Sequence, residues 1–220
     1  MPTPTVENYV KALYVERQRC GGDLVGLGKL ATVMGVVPGT VTTMVRTLSD
    51  AGLVRYEPRV GVALTPEGET LALHVLRRHR LVEAFLVEVL KFDWAEVHDE
   101  AEELEHAISD KLLEKIDVYL GRPTVDPHGD PIPSANGEIS RPTQLPLTAC
   151  APGQRVRLTR VDNQDAAFLN YITEKGLRPG TELTVLTADE IAGAITLQKA
   201  DGTTVALGQT AAGVMYVTLL

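Results

Sequence analysis

The chain has 220 residues, of which 44% are hydrophobic and 23% charged, and its net charge at pH 7 is −8. This composition excludes a wholly disordered chain and predicts one large domain or two to three small ones. The sequence has no apolar run of transmembrane length, no secretory signal at its start and no CxxC pair among its two cysteines. These features predict a cytoplasmic protein in a reducing compartment.

The negative charge is concentrated in one segment. The net charge is +2 over residues 1–65, −8 over residues 66–120 and −2 over residues 121–220. A mildly basic N-terminal segment is therefore followed by a strongly acidic one. This asymmetry leaves nucleic-acid binding open for the N-terminal segment, although the chain as a whole is acidic.

The N-terminal segment predicts three helices followed by a two-stranded hairpin. Apolar spacing and glycine stops place helices over 5–19, over 27–34 and from Pro38 to Ala51-Gly52. Strands are predicted over 53–57 and 62–64, with a turn between them. This order is typical of the winged-helix variant of the helix-turn-helix, with the third helix as the recognition helix.

Short hydroxyl side chains follow the start of the predicted recognition helix. Threonine hydroxyls reach phosphates and threonine methyl groups contact thymine, while Arg46 is the long base-reading candidate. Arg59 lies in the hairpin turn, where a wing meets phosphate. The alternative is a packing unit whose threonines are merely solvated. The predicted DNA-binding residues are Pro38, Gly39, Thr40, Thr42, Thr43, Arg46 and Arg59.

Three more helices are predicted in the acidic segment. The first begins after Thr65-Pro66 and runs to about Leu90, the second spans Trp94 to about Ala107, and the third ends near Leu120. Residues 122–153 contain seven prolines and predict a linker. From residue 155 onward, several short strands and one helix over about 164–175 predict a small β-barrel.

The second of these helices carries a face rich in histidine and carboxylate. Its four members follow the i, i+4, i+7, i+8 spacing, which places them within an arc of roughly 100°. On the preceding helix, His79 and Glu83 form another i, i+4 pair. Imidazole and carboxylate ligands without a thiolate favour manganese(II) or iron(II) over a cysteine-based zinc site. The four residues of the face are His98, Glu102, Glu105 and His106.

An alternative assigns these histidines a purely structural role. In that case a winged-helix regulator would bind DNA independently of metal. A metal-dependent hydrolase is a third possibility. However, the chain has no glycine-rich phosphate loop, no serine or cysteine nucleophile within a catalytic motif and no HExxH motif. His128, in the predicted linker, is assigned no role.

Several segments resemble the diphtheria toxin repressor and manganese transport regulator family. They are Arg78–Glu83, Val97–His106 and Ser109-Asp110, and the likeness extends to the N-terminal helix, the winged helix and the linker with Gly129–Pro133. The C-terminal segment is similar to a ferrous-transport-A or SH3-like module. The resemblance implies a homodimeric, metal-activated transcription factor that represses genes of metal-ion homeostasis. It would bind double-stranded operator DNA and would not be an enzyme.

The predicted fold is mainly α with a small β-barrel. The boundaries are a winged-helix DNA-binding domain over 1–65, a helical dimerisation and metal-binding domain over 66–121, a proline-rich linker over 122–153 and an SH3-like domain over 154–220. The dimer interface is expected on the apolar faces of the acidic helices. The candidates are Leu81, Phe85, Trp94, Val97, Ala101 and Leu104.

The resemblance also implies two metal sites. A regulatory site would use Glu102, Glu105 and His106, with Asn8 completing it. An ancillary site would use His79, Glu83 and His98, and the C-terminal domain would add Asp165. The full set of metal ligands that the resemblance implies is Asn8, His79, Glu83, His98, Glu102, Glu105, His106 and Asp165.

Three positions bear on the choice of metal. Glu102 is a carboxylate where the iron-sensing branch has a cysteine, so the resemblance favours Mn²⁺, with Fe²⁺ and regulation of iron uptake as the alternative. Asn8 replaces the usual Asp or Met with a weaker neutral donor. Lys11 stands where some manganese sensors carry a second N-terminal carboxylate, which argues against a binuclear site of their kind. By raw affinity, Zn²⁺ or Cd²⁺ could bind in vitro.

Overall fold

The computed structural model describes residues 2–140, 142–189 and 191–220. The chain divides into two compact units. The first unit comprises the chain up to His79 together with Glu105–Ile108 and Pro133–Glu138, and the second comprises Arg80–Leu104, Ser109–Ile132 and Ile139–Leu220. Among the described helices, none combines the length and apolar character that crossing a membrane requires.

The first unit contains the predicted winged helix. Helices α1 (Pro4–Cys20), α2 (Leu27–Val33) and α3 (Pro38–Asp50) are followed by an antiparallel hairpin of β1 (Val54–Glu57) and β2 (Gly61–Leu64). Apolar residues at helical spacing on α1 and α3 are fully buried, which explains why these segments form packed helices. The predicted order of three helices and a wing is confirmed. The buried positions include Val10, Leu13, Val41, Val45 and Leu48.

Helix α4 (Pro66–Glu88) begins where the chain passes close to the wing. The Thr65 hydroxyl accepts a hydrogen bond from the Gly68 backbone N–H at 3.1 Å. A Cβ atom on Gly68 would lie 1.9 Å from the Leu53 carbonyl oxygen, so only glycine fits at this position. The glycine therefore fixes how closely α4 approaches the start of β1.

We expect Gly68→Ala to destabilise the protein by about 2–4 kcal/mol, because backbone must move to relieve the overlap. Chemical unfolding of the two proteins measures the difference. Gly28→Ala is the matched control, since no atom lies within 4 Å of the position that its Cβ would take. That control should be neutral or stabilising by up to about 1 kcal/mol through helix propensity. Equal midpoints for Gly68→Ala and wild type would contradict the argument.

The second unit contains two short helices after α4, namely α5 (Val97–Leu104) and α6 (Asp110–Tyr119). The prediction of one helix from Trp94 to Ala107 was too long at both ends. Residues 94–96 form turns, and the Trp94 side chain is buried in the core of the C-terminal sheet. Glu105 and His106 lie in the turn that follows α5, so the predicted single helix face is not formed.

The C-terminal part of the second unit is an antiparallel sheet in the order β3-β8-β4-β5-β6-β7. Its edge strand β3 (Leu145–Pro146) has only two residues, and proline lacks the N–H that a further strand pairing needs. The sheet of the described residues is therefore open, and the predicted small β-barrel is not confirmed. The other strands are β4 (Arg155–Val161), β5 (Glu182–Asp189), β6 (Ala194–Lys199), β7 (Thr204–Gly208) and β8 (Met215–Leu219).

One core fills the space between this sheet and its helices α7 (Ala166–Glu174) and α8 (Gln209–Gly213). Alternate residues of the strands point into it, as in β7, where Val205 and Leu207 are buried. Trp94 joins this core, and its indole N–H donates to the Thr173 hydroxyl at 2.8 Å. Within the second unit, the segment before α5 is thus packed into the C-terminal domain.

Candidate metal centre

The first unit brings histidine, carboxylate and amide side chains together beside α1. They come from three places in the sequence: one face of α1, the middle of α4 and the turn after α5. Glu105 is completely buried, Glu7, Lys11 and His79 are buried beside it, and Asn8 and His106 are partly exposed. We call this group the α1 cluster; its members are Glu7, Asn8, Lys11, His79, Glu105 and His106.

Glu105 is the centre of the α1 cluster. Its Oε1 lies 2.6 Å from Lys11 Nζ and 3.3 Å from His106 Nε2. Its Oε2 lies 2.7 Å from His79 Nδ1. A buried carboxylate requires such partners, because removing an unpaired charge from water is very costly. Both oxygens of Glu105 therefore point at the groups that surround them.

His106 is held at both ring nitrogens. Nε2 faces Asn8 Oδ1 at 2.7 Å, while Nδ1 lies 2.6 Å from Glu7 Oε2. Arg78 holds the other oxygen of Glu7 at 3.3 Å. A carboxylate on the far nitrogen fixes the orientation of a metal-ligating imidazole, and Glu7 is placed to do this for His106. Nε2 is then the atom positioned to bind an ion together with Asn8 and Glu105.

The second unit holds a second group of the same chemistry. His98 Nδ1 on α5 lies 3.3 Å from Glu83 Oε1 on α4, and its Nε2 lies 3.6 Å from Glu102 Oε1. Ligand atoms of Glu83, Asp126 and His128 all lie within 4.8 Å of one another. We call this group the Glu83 cluster; its members are Glu83, His98, Glu102, Asp126 and His128.

His128 is completely buried and has a defined ring orientation. Its Nε2 donates to the Trp94 carbonyl oxygen at 2.8 Å, and its ring stacks on the Trp94 indole with centroids 5.5 Å apart. Its Nδ1 faces Glu83 Oε2 at 3.7 Å, beyond hydrogen-bond length. A ring nitrogen aimed at carboxylates while the other donates to a backbone carbonyl is the usual arrangement of a metal-ligating histidine.

Burial and neighbouring charges shift the pKa values of two members of the Glu83 cluster, His128 and Asp126. Burial alone would lower the pKa of His128, but contact with Glu83 and the charge of Asp126 outweigh it and raise this pKa to about 9. Burial and the nearby Asp130 and Glu83 carboxylates raise the pKa of Asp126 to about 7, against the opposing effect of Arg80. The cluster is thus a concentration of buried acidic groups that a cation would stabilise.

The turn that carries Asp126 and His128 is closely fixed. Asp126 Oδ1 accepts from the backbone N–H groups of His128 at 2.8 Å and of Asp130 at 3.0 Å. Gly129 has φ +87, and a Cβ atom there would lie 1.9 Å from the Thr159 carbonyl oxygen. This part of the predicted linker therefore packs against β4 and presents ligand atoms.

Seven of the eight predicted ligand residues lie in these two clusters. Asn8, Glu105 and His106 meet in the α1 cluster, where His79 also contacts Glu105. Glu83, His98 and Glu102 belong to the Glu83 cluster.

Asp165 has another role in the structure. Its exposed carboxylate caps α7 by accepting from the Phe168 N–H at 3.0 Å. Asp165 is a member of neither cluster, and its contribution to the ancillary site stays a prediction.

Sequence reasoning missed Glu7, Asp126 and His128. Glu7 and Asp126 were assigned no role, and neither was His128, which lies in the predicted linker. The signal that could have found them is the run Asp126-Pro-His-Gly-Asp130, which places three titratable residues within five positions of a proline-rich segment. Such a concentration is unusual for a solvated linker.

The predicted DNA-binding residues lie mostly on the surface of the first unit. Pro38, Gly39, Thr40, Thr43, Arg46 and Arg59 are exposed, and Thr42 is half-buried. The Thr42 and Thr43 hydroxyls donate to backbone carbonyls one turn earlier, at 3.0 and 3.1 Å. Arg59 adopts a positive φ of 69 at the tip of the wing. The start of α3 thus presents a polar surface.

Three family models match successive parts of the chain. The N-terminal DNA-binding domain of iron-dependent repressors matches residues 1–62, and their metal-binding and dimerisation domain matches residues 65–134. A FeoA domain matches residues 145–219. These matches confirm the predicted sequence of a DNA-binding, a helical and an SH3-like domain.

Similar proteins and similar solved structures point to the same family as these family models. The diphtheria toxin repressor of Corynebacterium glutamicum is 30% identical over 193 residues, which cover 83% of each chain. A solved manganese-dependent transcriptional repressor in complex with manganese is 41% identical, with a TM-score of 0.89, over 98% of this chain and 100% of the other. The structure of ScaR with bound Zn²⁺ is 32% identical, with a TM-score of 0.79, and both chains are fully covered. The chain belongs to the iron-dependent repressor family and is a metal-dependent, DNA-binding transcriptional regulator rather than an enzyme.

Proposed function

We propose that the chain is a homodimeric, cytoplasmic repressor that binds double-stranded operator DNA when Mn²⁺ is bound, and so controls genes of metal-ion homeostasis. One observation carries this proposal. The α1 cluster joins Glu7 and Asn8, in the segment matched by the DNA-binding model, to Glu105 and His106, in the segment matched by the metal-binding and dimerisation model.

The residues of the α1 cluster fit a divalent cation. Asn8 Oδ1, Glu105 Oε1 and His106 Nε2 would hold it, and the cation would supply positive charge that binds all three side chains at once. Asn8 belongs to α1, which is part of the same unit as the recognition helix α3. Fixing α1 would therefore favour one arrangement of the DNA-binding residues.

The ligand types support manganese. All candidate atoms in both clusters are oxygen or nitrogen, and this set suits Mn²⁺ and Fe²⁺. The chain has no thiolate to offer there, because Cys20 lies exposed at the end of α1 and Cys150 is buried in the C-terminal core. The solved relative that carries manganese supports the same choice. Iron(II) is the alternative, since the matched family models are those of iron-dependent repressors.

A homodimer is supported by apolar residues left exposed in the acidic segment. Of the side chains expected at the interface, Leu81, Trp94, Val97 and Ala101 are buried within the chain, so they are not free to form it. Leu104 is exposed, and other apolar side chains of the same segment are exposed with it. They are Leu90, Phe92, Leu112, Val118 and Tyr119. A dimer would also double the few basic contacts that one chain offers to DNA.

We expect chelator-stripped protein to bind two Mn²⁺ ions per chain, one at each cluster. Calorimetric titration with Mn²⁺ and, without oxygen, with Fe²⁺ measures the stoichiometry and affinity. Equal affinity for the two ions would favour the iron-responsive alternative. A chain that binds neither ion would contradict the proposed function.

A further inference from the structure

Lys11 contacts Glu105, the carboxylate proposed above as a ligand of the ion. Its side chain is nearly buried between α1 and the turn after α5. Its Nζ lies 2.6 Å from Glu105 Oε1, the oxygen that also faces His106 Nε2 at 3.3 Å. An ammonium group therefore already neutralises the central carboxylate of the α1 cluster.

We propose that Lys11 is a built-in competitor for the metal ion and sets the ion concentration at which the protein becomes active. In the metal-free chain the ammonium pairs with Glu105. When a divalent cation binds Glu105, Lys11 gives up this contact. The inference rests on the proposed function, because it concerns how the same cluster responds to metal.

Electrostatics require this exchange. If a divalent cation and an ammonium group both contacted the same carboxylate oxygen, they would lie only a few ångströms apart. At that distance they repel each other strongly, especially where little water screens their charges. Metal binding must therefore break the Lys11–Glu105 pair. The apparent affinity for metal is reduced by the free energy of that pair, and it would rise if the pair were absent.

The chain provides a place for the displaced ammonium. Lysine has a flexible four-carbon stem and a compact charge, so it can change partner without moving the backbone. Glu7 stands four residues earlier on α1, the spacing at which opposite charges meet on a helix. Movement toward Glu7 would keep Lys11 paired while Glu105 is released.

The test removes the charge of Lys11 in two ways. Lys11→Met keeps most of the stem, and Lys11→Gln adds an amide that can still donate to Glu105. Lys29→Met is the matched control, because it removes the same charge from the same unit, where Lys29 is exposed and lies 3.4 Å from Glu16. Mn²⁺ affinity is measured by competition with a chelating dye, and thermal unfolding is measured with and without Mn²⁺.

We expect both Lys11 variants to bind Mn²⁺ at least tenfold more tightly than wild type, while Lys29→Met stays within twofold. Lys11→Met should also unfold at a lower temperature than wild type without metal, and Mn²⁺ should raise its unfolding temperature by more than it raises that of wild type.

Unchanged or weaker Mn²⁺ affinity in the two Lys11 variants would overturn the inference, and would leave Lys11 as a structural counterion. If Lys11→Met fails to fold, Lys11→Gln alone decides between these outcomes. Failure of the proposed function looks different, because wild type itself would then bind no Mn²⁺.

Discussion

Glu105→Gln is expected to weaken Mn²⁺ binding at the α1 cluster by about 100-fold or more and to abolish metal-dependent DNA binding. Glu105 is the residue that Lys11, His79 and His106 all contact, and it has no exposed surface. Loss of an outer partner of a metal site commonly costs 10–100-fold in affinity, so loss of a charged ligand should cost at least as much. Glutamine keeps the shape of the side chain and removes only its charge.

Two measurements separate this effect from simple misfolding. Glu103→Gln is the matched control, because Glu103 is exposed near the end of α5, two residues before Glu105. It should bind Mn²⁺ and DNA like wild type. The circular dichroism spectrum of Glu105→Gln should match that of wild type. A Glu105→Gln protein that retains full Mn²⁺ affinity would remove Glu105 from the site.

His128→Phe is expected to destabilise the metal-free protein by about 3–5 kcal/mol, the cost of leaving buried charges without their partner. His128 lies between the buried carboxylates of Glu83 and Asp126, and its raised pKa reports that it acts as their counter-charge. Phenylalanine preserves the volume and the stacking on Trp94. The same variant should lose one of the two bound Mn²⁺ ions, as measured by metal analysis after dialysis.

A double variant tests the electrostatic cause. Adding Glu83→Gln to His128→Phe removes one of the two carboxylates that the loss of His128 leaves without a counter-charge. The double variant should therefore recover part of the lost stability. His74→Phe serves as the control for the histidine change, since His74 is exposed on α4. If the double variant is no more stable than His128→Phe, packing rather than charge explains the loss.

The fold was predictable wherever local patterns decide it. The winged helix follows from helix-stop glycines, from Pro38 at the start of α3 and from alternation in the two short strands. The end of α5 was not predictable, because the residues beyond Leu104 have helical spacing. In the structure, Glu105 and His106 contact α1 and lie in a turn instead. These contacts join residues about 100 positions apart in the sequence, so local helix propensity does not report them.

The chemistry of the candidate site was predictable, but the part played by the proline-rich segment was not. Histidine–carboxylate spacing and the family resemblance found most of the ligand atoms. Helical spacing placed Glu102 with His98, and these two side chains lie 3.6 Å apart. Glu105 and His106 lie beyond the end of α5 and contact α1 instead. Asp126 and His128 join the Glu83 cluster through a turn that depends on packing of Gly129 against Thr159, which sequence spacing does not report.

The most direct test of a metal-controlled DNA switch is a fluorescence-anisotropy titration with promoter DNA of metal-transporter genes from the same genome. The chelator-stripped protein is compared with and without Mn²⁺ at one fixed salt concentration. We predict that Mn²⁺ tightens DNA binding at least tenfold, or about 1.4 kcal/mol of coupling. By linkage, the DNA should tighten Mn²⁺ binding by the same factor. Metal-free protein that binds this DNA as tightly as the Mn²⁺-loaded protein would contradict the account.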